Sequence, residues 1–130
     1  MNDCIFCKIS KGKIPCYKVY EDDDVLAFLE ISPVNKGHCL VIPKEHFETV
    51  FEIPDEILKK LVVAVKKVSN KVKQALNCEK VILAVWGEDV SHAHMHIIPR
   101  YEGDGMEFWK QGKYEEREAE QILEKIKSNL

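Results

Sequence analysis

Residues 92–96 read His-Ala-His-Met-His, and Ile97-Ile98-Pro99-Arg100 follow at once. Side chains alternate faces along an extended strand. His92, His94 and His96 therefore stand in one row, with Ala93, Met95 and Ile97 on the opposite face. Three of the chain's five histidines sit here. Imidazole titrates near neutrality and acts as nucleophile, proton donor or metal ligand, so a row of three points to phosphate, metal or both. The alternation with apolar residues, inside the chain, excludes an expression tag.

Cys4-Ile5-Phe6-Cys7 is a second constellation, a C-x-x-C pair. A redox pair of this type follows a buried strand and opens a helix, whereas only three residues precede Cys4. Zinc is the better reading, and a structural zinc site takes four ligands. The candidates for the other two are His38, His46, His92, His94 and His96. His46, just past a strand that ends at Pro43, and His92, at the head of the triplet strand, would complete a set with Cys4 and Cys7. That set would fix the N-terminal segment to the sheet and leave His94 and His96 for other work.

Several elements must position these groups. Tyr17–Glu21 and Val25–Leu29 read as a hairpin across Asp22-Asp23-Asp24, and Cys39–Ile42 reads as a third strand ended by Pro43. Residues 32–37 form a loop by their turn residues. A helix is expected from about Pro54 to Asn77, with Asp55 and Glu56 in its first turn. Its apolar stripe is Ile57, Leu58, Leu61, Val62, Val65, Val68, Val72 and Leu76. Val81–Val85, an unbroken apolar run, reads as a buried strand beside a triplet strand over His92–Ile98, joined through Gly87-Glu88-Asp89. A charged amphipathic helix is expected over about Glu115–Ile126. Strands in adjacent runs with few helices between them favour an α+β design: an antiparallel sheet with one long central helix and a C-terminal helix packed on one side.

The 130 residues suit one domain, 1–130, without repeat or linker. A net charge of −3 with no basic cluster argues against nucleic-acid binding. No apolar stretch reaches membrane-spanning length, so no membrane partner is expected, and the first residues carry no signal-peptide pattern. The five cysteines, an odd number, argue against a disulfide framework and for the cytoplasm. Cys16, Cys39 and Cys78 read as small buried or partly buried residues.

The motifs together resemble the histidine triad (HIT) family. The signature is His92-Ala93-His94-Met95-His96-Ile97-Ile98. Further blocks in the family's order are Cys4–Ile9, Ile14-Pro15, Tyr20–Asp22, Leu26–Pro33, Gly37-His38 and Leu40–His46. They span most of the chain from Cys4 to Tyr101 and are closest to the Hint-type branch and its prokaryotic relatives. His96 stands where the galactose-phosphate uridylyltransferase branch has Gln, which argues against that branch. The resemblance implies a homodimer of HIT-like α+β subunits and hydrolysis of a nucleoside phosphoramidate or related nucleotidyl conjugate. In it His94 is the nucleophile that forms a covalent nucleotidyl-histidine, and His96 and His38 support it as donors to the phosphate. It implies structural zinc on Cys4, Cys7, His46 and His92. It also implies a purine nucleotide pocket around Phe6, Ile9, Ile14, Phe28, Leu29 and Glu30.

Two positions depart from the family pattern. Glu30 replaces the usual Asp at the ribose. Residues 86–91 form a shorter, acidic segment where Hint-type members carry a phosphate-contacting loop, with Asp89 at the place of the loop serine. This motivates a nucleotide- or partner-binding protein with weak hydrolysis as an alternative. A diadenosine polyphosphate hydrolase and a metallohydrolase with zinc on the triplet are the others.

Overall fold

The computed structural model describes residues 3–86 and 90–128. The five strands are β1 (Lys18–Glu21), β2 (Val25–Leu29), β3 (Cys39–Pro43), β4 (Lys80–Ala84) and β5 (Met95–Arg100). They form one antiparallel sheet in the order β1-β2-β3-β5-β4. The helices are α1 (Ile5–Ser10), α2 (Asp55–Leu76) and α3 (Glu118–Lys127), with a short 3-10 helix at Val50–Glu52. The chain is therefore α+β, with α2 as the long central helix.

Alternation sorts the sheet into two working faces. Val25, Ala27 and Leu29 of β2, Cys39 and Val41 of β3 and Ile97 of β5 form one core with Leu61, Val65, Val68 and Val72 of α2 and Ile122 and Ile126 of α3. Leu26, Phe28, Leu40 and Ile42 face the other way and pack under Phe6 of α1. The β3–β5 register sets Leu40 opposite His96, which puts His96 on that second face. Burial of both faces explains why β2 and β3 read as nearly continuous apolar runs. α2 and α3 lie on one side, as expected, and α1, for which no side was expected, covers the opposite face.

Local chemistry sets the element ends. In the β1–β2 turn, the Asp22 carboxylate accepts from the backbone N–H groups of Asp24 and Val25 at 2.9 Å each. Pro54 precedes α2, Asp55 and Glu56 occupy its first turn, and Asn77 closes it in the left-handed region at φ 54°. Gly37, directly before His38, holds φ +90°, and a Cβ there would collide with Leu76 and press on Pro99. Only glycine lets this turn pass under the helix end.

Four expectations need correction. The apolar run at Val81–Val85 lies in and just after β4, the edge strand, and is half exposed, with Leu83 51% exposed. Val62 of the α2 stripe is exposed too; it lies at the margin of the buried arc. The regular triplet strand begins at Met95, because residues 92–94 pair irregularly with the segment after β3, where Ala93 N–H donates to Phe47 O at 2.7 Å. α3 starts at Glu118, after a left-handed Arg117. The joining residues 87–89, Asp89 among them, lie outside the described residues.

Candidate active site and metal centre

Although β5 begins late, the alternation holds through the triplet. Ala93 and Met95 join the helix-side core, while His92, His94 and His96 all lie buried on the other side. The His94 and His96 rings stand 4.8 Å apart, and Phe6 of α1 meets both His92 and His94 edge-on. The row nevertheless divides into two centres.

At the first, His92 Nε2 lies 2.8 Å from Pro43 O. A carbonyl only accepts, so Nε2 carries the proton and Nδ1 offers a lone pair. That Nδ1 lies 3.3 Å from Cys4 Sγ, 3.6 Å from Cys7 Sγ and 3.2 Å from His46 Nδ1, and Cys7 Sγ is 3.3 Å from His46 Nδ1. Around an ideal tetrahedral zinc, nitrogen and sulfur ligands sit about 3.6 Å apart and two nitrogens about 3.3 Å apart. The four donor atoms all lie within 4.8 Å of one another. The set fits a tetrahedral zinc ion, with the Pro43 carbonyl in the supporting position that such sites use to fix a histidine tautomer. Cys4 and Cys7 reach it because one caps α1 and the other lies on its first turn, and Cys7 N–H points to Cys4 Sγ at 3.4 Å. His38, His94 and His96, open as candidates from sequence, are not in this cluster.

At the second centre, His94 Nδ1 lies 2.6 Å from His92 O. The carbonyl again fixes the tautomer, so Nδ1 carries the proton and Nε2 the lone pair. His38 is fully buried, and its Nδ1 accepts the backbone N–H of Val34 at 3.0 Å. Its proton must therefore be on Nε2, which lies 2.9 Å from His96 Nδ1. His96 accepts there and so carries its own proton on Nε2. Burial, helped by His96 and His94, holds the His38 pKa down at about 3, so His38 is neutral. Both His38 nitrogens are thus used within the protein. His38, expected as a donor to phosphate, has its Nε2 against His96 Nδ1 in this structure.

The expected nucleotide residues are brought together in part: Phe6 and Phe28 share one cluster with Leu26, Leu40 and Ile42, and Ile9 packs against it. Phe6 and Phe28 meet edge-on at 5.6 Å beneath α1. Ile9 and Ile14 line a groove of about 430 Å3 with Pro15, Cys16 and Leu26 of that cluster. Glu30 lies at the end of β2, where its carboxylate accepts Ser32 N–H at 3.0 Å. Leu29 points into the helix-side core, so its side chain faces away from the histidines.

Sequence reasoning missed three contributors. The Pro43 carbonyl and the Val34 N–H are backbone groups, which residue types cannot announce. Trp109 packs edge-on to His96 at 4.6 Å from a loop that carried no motif. Its one signal was an aromatic pair, Phe108-Trp109, in an otherwise polar stretch.

Comparison with known proteins gives the family. The model of the HIT domain matches residues 11–103. An uncharacterised HIT-like protein of Methanocaldococcus jannaschii is 47% identical over 128 residues, covering 95% of this chain and 98% of its own. The adenosine 5′-monophosphoramidase of Schizosaccharomyces pombe is 45% identical over 98 residues, covering 75% of this chain and 74% of its own. A zinc-bound histidine triad family protein from Mycobacterium smegmatis superposes with a TM-score of 0.88 at 26% identity, covering 98% of this chain and 93% of that one.

Proposed function

Since the chain belongs to the HIT family, we propose that it hydrolyses a purine nucleoside phosphoramidate, or a related nucleotidyl conjugate, through a covalent nucleotidyl-histidine at His94. The reading rests on one observation above all. His92 O fixes the proton of His94 on Nδ1 at 2.6 Å, which gives Nε2 the lone pair of a nucleophile.

In the first step His94 Nε2 attacks the α-phosphorus. The P–N bond breaks, and the amine leaves with the electron pair and takes a proton from solvent. The imidazole becomes cationic, and the His92 carbonyl dipole, already aimed at its N–H, stabilises that charge. His96 Nε2–H donates to a phosphoryl oxygen, where charge concentrates in the transition state. His38 keeps His96 in that donor form. In the second step water attacks phosphorus and gives a proton to solvent, the P–Nε2 bond breaks with its electron pair returning to neutral His94, and nucleoside monophosphate leaves.

Zinc on Cys4, Cys7, His46 and His92 would be structural. It would clamp α1, and with it Phe6, to the backbone that presents His94. A homodimer joined along the exposed β4 edge and a cytoplasmic setting complete the proposal. The five cysteines, none of them in a disulfide, suit a reducing compartment.

The test is turnover of adenosine 5′-phosphoramidate by the wild type and His94→Ala. The expected loss is ~10³-fold or more in kcat. Wild-type rates in the variant would remove the proposal, and tight nucleotide binding with no turnover in either would favour a binding protein.

A further inference from the structure

His96 can serve as a phosphate donor only while its ring keeps one tautomer and one orientation. The hydrogen bond with His38 sets the tautomer, and the two rings are tilted by 54°. The orientation of the pair also depends on what packs against the two rings.

Trp109 packs against both. Its ring meets His96 edge-on at 4.6 Å and 85°, and His38 edge-on at 5.8 Å and 83°. It touches both partners of the hydrogen bond at once. The tryptophan is itself fixed from two sides. Trp86, just beyond β4, stacks on it at 5.4 Å with the planes 12° apart. The chain after it is tied to the loop at residues 32–34: Gly112 N–H donates to Pro33 O at 2.8 Å and Gln111 Nε2 to Ser32 O at 2.7 Å. The same loop supplies the Val34 N–H that fixes the His38 tautomer. One short loop therefore sets His38 from below by its backbone and anchors the segment that packs over the pair.

We propose that Trp109 is a positioning residue that holds the His38–His96 pair dry and in register, so that His96 presents Nε2–H to the phosphoryl group. This rests on the phosphoramidase reading for its catalytic consequence and on geometry alone for the tautomer. An aromatic ring suits the task. Its edge packs against imidazole without offering a strong acceptor that would pull the proton to the wrong nitrogen.

The test uses Trp109→Ala, Trp109→Phe, His38→Ala and the double variant His38→Ala/Trp109→Ala, with folding checked by thermal melts. The first readout is the ring 15N shifts of His96 without substrate. The wild type is expected in the Nε2–H form, Trp109→Ala with mixed tautomers, and Trp109→Phe restored. The second is adenosine 5′-phosphoramidate turnover. Trp109→Ala is expected to lose ~10-fold in kcat with KM within about twofold, and to add no further loss in the His38→Ala background. Unchanged His96 shifts in Trp109→Ala, or losses that simply add, would overturn the proposal. If no variant, the wild type included, turns over substrate, the functional reading falls. The 15N shifts then decide on Trp109 by themselves: mixed tautomers uphold its role as a clamp, and unchanged ones remove it.

Discussion

At the scale of single residues, two backbone carbonyls divide the labour of a row of like side chains. Pro43 O takes the Nε2 proton of His92 and turns its Nδ1 toward the thiols, while His92 O takes the Nδ1 proton of His94 and turns its Nε2 the other way. Similar residues two places apart thus get opposite tautomers and different chemistry. His38 shows the energetic side of the arrangement. Burial, then His96 and His94, lowers its pKa from 6.5 to about 3. Above pH 6.5 it is neutral both folded and unfolded and has no effect on the pH dependence. As pH falls from about 6.5 toward 3, the unfolded chain takes a proton that the folded site refuses, so stability is lost across that window, by up to ~1.4 kcal/mol per pH unit. Denaturant unfolding at a series of pH values should show a shallower acid decline for His38→Gln than for the wild type; parallel curves would contradict this. The row was legible because strand alternation is a property of sequence. For His94 a nearby main-chain carbonyl was the expected acceptor, and His92 O takes that place; the partners of His92 and His38 were not legible, because Pro43 O and the Val34 N–H belong to the main chain.

At the scale of elements, α1 is the piece whose place most needs explaining. Six residues make a marginal helix in isolation. It gains its position from Phe6 beneath it and from the Cys4–Cys7 pair that meets His46 and His92. If zinc binds there, a chelator should lower the thermal midpoint by roughly 10 °C, and Cys7→Ser should show a similar loss with no further response to chelator. A freshly purified protein without zinc, indifferent to chelation, would remove the metal from the account. The clustering of Cys4, Cys7, His46 and His92 could be read from sequence because the cysteine spacing is close to one helical turn and two histidines flank strand ends. β4 could not be read correctly. Val81-Ile82-Leu83-Ala84-Val85 is apolar throughout and so reads as interior, yet β5 inserts between β3 and β4 and leaves β4 on the rim. Periodicity reports which residues are apolar; strand order decides which of them are covered.

At the scale of the whole molecule, that rim is an open question of partners. Among the described residues no strand pairs with the outer edge of β4; Leu83 and the following Val85 are exposed, and α2 exposes Val62 and Val63. Long apolar edges invite another strand. We expect sedimentation equilibrium to give a dimer and Leu83→Lys to shift it toward monomer; a monomeric wild type at micromolar concentration would contradict the proposed assembly. Among the described residues no helix is long and apolar enough to cross a membrane. The sheet serves the site in a simple way. One face is spent on the core with α2 and α3, which leaves the other free to carry histidines under α1 and Trp109. The overall fold was recoverable from strand and helix periodicity. The closure over His96 was not, because Trp86 and Trp109 meet only after the chain has passed through β5 and its following loop.

The claim on which the mechanism depends is that phosphorus is attacked first by His94 and only then by water. The most direct measurement is the stereochemical course at phosphorus, using a P-chiral phosphorothioate analogue of adenosine 5′-phosphoramidate hydrolysed in 18O-water. Two successive in-line displacements invert twice, so the account predicts net retention. Net inversion would mean that water displaces the amine in a single step, and His94 would then not be the nucleophile.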